Sequence, residues 1–196
     1  MTARMLLDPR ALRTVFLHGL GGVGSEWDAL QERVPAHAPD LRPGDDPRAI
    51  IGDEPVVLIG HSLGGHHAFR MAATEPSLVS RLVVIEASPE RNETAPDDVR
   101  TFFSTHPAPY GVRVDPEAAA AAVKDLARRD WWDTWAIISC PILVVRGENG
   151  HLARAVAARM AASAVRARSV EIAGAGHDVH LDQPAALAEE LVRFSA

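Results

Sequence analysis

Residues 60–64 read Gly-His-Ser-Leu-Gly, the G-x-S-x-G pattern in which a serine stands on a sharp strand-to-helix bend. The flanking sequence fits that bend. Val56, Val57, Leu58 and Ile59 form an apolar run that reads as a strand buried on both faces, and His66 to Thr74 reads as a helix stopped near Pro76. Glycine is needed at Gly60 and Gly64 because the bend leaves no room for side chains beside the serine. Ser62 is thereby offered as an exposed hydroxyl at a helix N-terminus, where backbone N–H groups can meet developing negative charge. The plain alternative is a tight glycine-rich turn carrying a solvated serine.

A second glycine-rich stretch, His18-Gly19-Leu20-Gly21-Gly22, follows the short strand-like run Arg13 to Leu17. Such a loop can bring its backbone close to a ligand, so the N–H groups of Leu20 and Leu63 together could form an oxyanion hole. Further apolar runs lie at Arg81 to Ile85, Pro141 to Val145 and Ser169 to Ile172, separated by helical segments that include Leu152 to Ala164 and a closing helix at about Pro184 to Phe194. Alternating strands and helices imply an α/β fold: a mostly parallel sheet with helices on both faces and reactive groups at the carboxyl ends of its strands. Ser62, Glu86, Glu148 and His177 all fall there. Between Gly44 and Pro55 the chain is scarcely long enough for one helical turn, so the crossover there is abbreviated.

The expected organisation is a single domain over residues 1–196, interrupted by a short helical cap at about 88–139. Within the cap, Pro116 to Arg129 reads as one alanine-rich helix. Phe102, Phe103, Tyr110, Trp131, Trp132 and Trp135 could either wall a substrate pocket or glue the cap to the sheet.

The formal charge of −6 comes from mixed acids and bases with no basic stripe, which argues against nucleic acid or an anionic membrane as a partner. The N-terminal residues lack the apolar core of a signal peptide, and no run approaches the ~20 apolar residues of a membrane span; a cytoplasmic location is expected. The only cysteine, Cys140, excludes disulfides within the chain and reads as core packing. His61, His66, His67, His151 and His180 show no metal-ligand spacing, so neither a metal nor another cofactor is expected, and these histidines read as pocket-lining or surface residues.

The stretches HGLGG at 18–22, GHSLGG at 60–65, CPILVVRGE at 140–148 and GAGHDVHLDQP at 174–184 together resemble the α/β-hydrolase superfamily across nearly the whole chain. That resemblance implies Ser62 as nucleophile, His177 as general base and acid, and the Leu20 and Leu63 N–H groups as the oxyanion hole. A serine at the bend also speaks against epoxide hydrolases and haloalkane dehalogenases, which carry aspartate there. The orienting acid departs from the common pattern: the position three residues after Gly147, usually aspartate, is Gly150. Some relatives place the acid at the end of the preceding strand, where this chain has Glu86. A carboxylate emerging from an apolar strand is costly without a partner, and an imidazolium is a suitable one. Glu86 is therefore the expected acid, with Glu148, or a dyad helped by water or Asn149, as alternatives. The implied activity is hydrolysis of a small acyl substrate through an acyl-enzyme, with a rate that rises as His177 loses its proton. Thioesterase, lactonase, carbon-carbon hydrolase and acyltransferase chemistry share these residues, and a non-catalytic binding protein could retain the fold.

Overall fold

The computed structural model describes residues 12–42 and 45–195; the sequence readings for the first eleven residues and for Pro43-Gly44 lie outside them. Five strands, β1 (Arg13–Leu17), β2 (Val56–His61), β3 (Val79–Ile85), β4 (Ile142–Gly147) and β5 (Ala167–Ile172), form one sheet in chain order. Every pair is parallel. Because side chains alternate across a strand, each strand supplies two cores. Leu58, Leu82, Val84, Ile142 and Val144 face one of them. Ile59, Val83, Ile85, Leu143 and Val145 face the other. This two-sided burial is why the strands read as continuous apolar runs.

Helices α2 (Pro47–Ile51), α3 (Leu63–Thr74) and α8 (Arg154–Ala162) cover the first face, contributing Ile51, Phe69 and Met160 to its core. The second face is covered by a 3₁₀ turn (Gly24–Trp27), α1 (Asp28–Gln31), α9 (Val179–Asp182) and α10 (Pro184–Ser195), through Trp27, Leu30, Val179 and Leu187. The crossover before β2 is short as expected, with only the five residues of α2 and an isolated parallel bridge between His37 and Val15 at the sheet edge.

Register places the chemistry. Leu17 pairs with Gly60, His61 with Ile85, and Gly147 with Ile172, so the strands end nearly level. The ladder then runs one residue further, with the Ser62 N–H donating to Ile85 O at 2.9 Å and the Glu86 N–H donating to Val145 O at 3.0 Å.

The insert between β3 and β4 carries α4 (Ala95–Thr105), α5 (Pro116–Ala122), α6 (Lys124–Arg128) and α7 (Trp132–Ala136). The single helix expected over Pro116 to Arg129 is two, because the backbone bends at Val123, which turns inward and is buried. The aromatics of the insert divide between the two expected roles. Trp131 and Trp135 belong to the core of the sheet's first face, with Trp132 packed against it, and the Trp135 indole N–H donates to Met160 O at 2.9 Å. Cys140 also packs on that core, and burial pushes its thiol up to about 11. No helix among the described residues is long and apolar enough to cross a membrane.

Trp135 is fully buried, whereas Phe102 is 41% exposed. Trp135→Ala is therefore expected to lower unfolding free energy by about 3–5 kcal/mol in urea titrations, and Phe102→Ala by less than about 1 kcal/mol.

Candidate active site

The carboxyl ends of the strands open into a cavity of about 850 Å³. Ser62, His177, Glu86, Leu20 and Leu63 all line it. Ser62 has φ +51° and ψ −119°, a conformation that L-residues rarely hold, and it precedes the first turn of α3. The bend closes only because glycines surround it: a Cβ at Gly60 would overlap the carbonyl of Gly64, and one at Gly64 would overlap Leu17 O. Leu63 N–H heads α3, where the first N–H groups have no carbonyl one turn back to bind.

The loop carrying Leu20 is set by His18. Leu41 N–H donates to His18 Nε2 at 2.8 Å, so the proton sits on Nδ1, which donates to Gly19 O at 2.7 Å. Gly22 N–H donates to the same oxygen at 3.1 Å. In a trans peptide the C=O and the following N–H point in opposite directions, so holding Gly19 O on one side aims the Leu20 N–H to the other.

Glu86 also sits at positive φ, +51°, and its side chain is fully buried. Its Oε1 accepts from Gly147 N–H at 2.8 Å; its Oε2 accepts from the N–H groups of His151 at 2.6 Å and Leu152 at 3.0 Å, and lies 3.3 Å from His177 Nδ1. Burial raises the carboxyl pKa, but the His177 contact and the three N–H donors outweigh it, so Glu86 is held below the ordinary carboxylate range. Arg146, itself buried in β4, clamps that donor loop at both ends, donating to Leu152 O at 2.9 Å and Glu148 O at 3.1 Å, with Glu171 as its counter-ion.

Gly150 explains why the usual acid is absent. A Cβ there would overlap both carboxylate oxygens of Glu86, so Glu86 fills, from the neighbouring strand, the space a side chain at position 150 would take. Glu148, in contrast, is exposed and caps Gly174 N–H at 2.8 Å. Asn149 is exposed too, its N–H donating to Ala175 O.

Of the histidines outside the Ser62, His177 and Glu86 group, His61, His66 and His151 line the cavity, the pocket-lining role expected for such residues. His151 stacks on His177 with centroids 4.4 Å apart and lines the cavity. His61, His66 and His180 are buried. His61 Nε2 lies 2.9 Å from His177 O and must be its donor, tying the end of β2 to the histidine loop. His180 stacks on Trp27 at 4.2 Å and lies 3.4 Å from Glu26 Oε2, while Glu26 Oε1 accepts from Val23 N–H beside the glycine loop. Sequence reasoning missed this buried Glu26–His180 contact, and no motif signals it. Tyr110 lines the cavity, one of the two roles expected for it; what the sequence does not signal is that its hydroxyl donates to both oxygens of Asp178, at 3.0 and 3.2 Å, linking the insert to the residue after His177.

One group among the described residues has metal-ligand proximity: His61, His177 and Asp178, with ligand atoms within 4.8 Å of one another. Each already has a partner in the protein, at His177 O, Glu86 and Tyr110 respectively. The donor set thus fits a hydrogen-bonded network.

This arrangement defines an α/β-hydrolase fold, and comparison with known proteins agrees. The model of the alpha/beta hydrolase family matches residues 14–190, and the chain belongs to that family. An esterase of Mycobacterium tuberculosis is 28% identical over 242 aligned positions, covering 91% of this chain and 81% of the relative. An sn-1-specific diacylglycerol lipase of Mus musculus is 31% identical over 99 positions, covering 38% of this chain and 32% of that protein. Among solved structures, the enol-lactonase of Burkholderia xenovorans superposes with a TM-score of 0.76 at 18% identity, covering 94% of this chain and 91% of that one.

Two outcomes test the site. Gly150→Ala should dislodge Glu86, lowering turnover of any substrate about as much as loss of the carboxylate does, with the protein still folded by circular dichroism. Stability should fall in acid. Burial, chiefly, holds His61 well below its ordinary value, with His180 and His177 adding to the effect, and pushes His66 down to about 3, with Arg70 and His67 adding. His66 stays neutral when folded across this range but takes a proton when unfolded below about pH 6.5. Unfolding free energy should therefore drop by about 1.4 kcal/mol per pH unit for His66 between about pH 6 and 4.5, with His61 acting in the same direction. Glu86, whose folded pKa is lowered, contributes stability that is lost only at lower pH still. Urea titrations of wild type and His66→Leu check this: the variant's slope should be shallower by one histidine's share.

Proposed function

We propose that the protein is a serine hydrolase that cleaves a carboxylic ester, or a related acyl bond, of a small substrate. The observation that carries this reading is the 3.3 Å approach of buried Glu86 to His177 Nδ1. It assigns the proton to Nδ1 and leaves Nε2, on the opposite edge of the ring, as the base for Ser62 in the same cavity. His177 takes the Ser62 proton as Oγ attacks the acyl carbon. The oxyanion is held by the N–H groups of Leu20 and Leu63, and Glu86 stabilises the imidazolium. Collapse expels the alcohol, which receives the proton from His177. Water then enters, is deprotonated by His177, and releases the acid from Ser62.

An esterase and a lipase among the sequence relatives support a hydrolase of this kind. Thioesterase, lactonase, carbon-carbon hydrolase and acyltransferase reactions use the same residues; the solved relatives include an enol-lactonase and a thioesterase domain from a curacin biosynthetic pathway. With no motif for a bound cofactor, the three side chains and two N–H groups carry every step.

Wild type should hydrolyse short p-nitrophenyl esters and be labelled at Ser62 by a serine-directed phosphonate, while Ser62→Ala should do neither. Glu86→Gln is expected to lower kcat by roughly 10³-fold or more, and Glu148→Gln by less than about threefold. Well-folded wild type that neither labels nor turns over any ester would instead support a ligand-binding protein.

A further inference from the structure

The cavity is one-sided in charge. Five carboxylates line it, Glu26, Glu86, Glu90, Asp98 and Asp178, and among the described lining residues there is no lysine or arginine. Of the basic residues nearby in the fold, Arg70 and Arg129 lie over the ring of Trp131 at 4.5 and 3.9 Å, and Arg159 lies 3.8 Å from the Trp132 ring and 3.6 Å from the lining carboxylate Glu90. Not all five carboxylates are free to act on a ligand. Glu86 is satisfied by three N–H groups and His177, Glu26 is tied to Val23 and His180, and Glu90 shares its charge with Arg159 at 3.6 Å. Asp178, half-buried beside His177, accepts from the neutral hydroxyl of Tyr110, and its nearest basic group is His61 at 3.7 Å, which burial keeps neutral. Asp98 is exposed on α4, and among the described residues its carboxylate accepts only from Thr94 Oγ1, at 2.6 Å.

An independent feature shares these walls. Leu20, Val99, Phe102, Phe103 and Leu126 form an apolar side, with two aromatic rings presented by the same helix that carries Asp98. Carboxylates beside aromatic faces are the chemistry that recognises an ammonium group, through charge attraction and cation–π contact. The same low-dielectric cavity repels an anion, because field lines from its acidic lining are focused inward.

We infer that the site selects acyl substrates whose remaining part is apolar and carries a positive charge or none, and discriminates against anionic ones. This rests on the ester-hydrolase reading and adds the substrate class to it. One solved relative of the same fold is named for a succinate, an E-2-(acetamidomethylene)succinate hydrolase with a TM-score of 0.76 at 19% identity; the acidic lining here opposes a substrate of that charge.

The test uses p-nitrophenyl esters of matched acyl length ending in trimethylammonium, tert-butyl or carboxylate, each rate divided by that ester's own hydroxide-catalysed rate. The trimethylammonium ester should exceed the carboxylate ester in kcat/KM by about tenfold or more at low salt, with the isosteric tert-butyl ester between them. The ratio should shrink in about 0.5 M salt, and by threefold or more in the Glu90→Gln/Asp98→Asn double variant. If the tert-butyl ester is hydrolysed but the carboxylate ester matches the trimethylammonium ester, charge selection is wrong and the hydrolase reading stands. If none of the three is hydrolysed and Ser62 does not label, both fall together.

Discussion

An ionised carboxylate buried at the end of an apolar strand is the constraint on which the site depends. Glu86 is tolerable there because four donors converge on its two oxygens, three of them backbone N–H groups, one at the end of β4 and two in the β4–α8 connection. Charge-assisted hydrogen bonds of this kind offset desolvation that would otherwise neutralise the group. The loop must therefore keep its shape, and buried Arg146 holds both of its ends. Gly150 has to stay without a side chain for the same reason. Removing any one of these parts leaves a buried charge short of a partner.

The parallel sheet turns that local arrangement into a site. Because the five strands end nearly level, the glycine loop after β1, Ser62 after β2, Glu86 after β3 and the donor loop after β4 meet at one edge, and His177 arrives after β5. Ser62 and Glu86 occupy equivalent places on adjacent strands, and both have φ of +51°. At each, the backbone leaves the sheet sharply and delivers a polar side chain to the cavity, a strain that the continuing ladder hydrogen bonds retain. The insert then closes over this edge, anchored by Trp131 and Trp135 on the sheet's first face and by Tyr110 on Asp178.

Local signals made much of this legible in the sequence. Apolar runs gave the strands because two-sided burial leaves no alternation to confuse them, and glycines flanking Ser62 marked the bend because nothing larger fits. Glu86 could be singled out because the family resemblance implies an acid at that strand end in some relatives, and a carboxylate directly after Val83-Val84-Ile85 demands a partner. What escaped notice depends on contacts between distant segments. Sequence names Glu86 as the replacement for the acid missing at Gly150, but not that its carboxylate fills the space a side chain at position 150 would take. Tyr110 and Glu26 lie 68 and 154 residues from their partners Asp178 and His180, and no spacing rule links them. The break at Val123 was invisible for a similar reason: alanine-rich sequence favours an unbroken helix, and burial of Val123 in the insert overrides it.

The central claim is that the orienting acid has moved from the loop after β4 to the end of β3, with the carboxylate occupying the same space. It is tested most directly by moving it back: kcat/KM for a p-nitrophenyl ester would be measured for Glu86→Gly, whose glycine suits the positive φ, and for Glu86→Gly/Gly150→Asp. The account predicts a loss of roughly 10³-fold in the single variant and recovery of at least tenfold of that loss in the double variant. A single variant as active as wild type would contradict it.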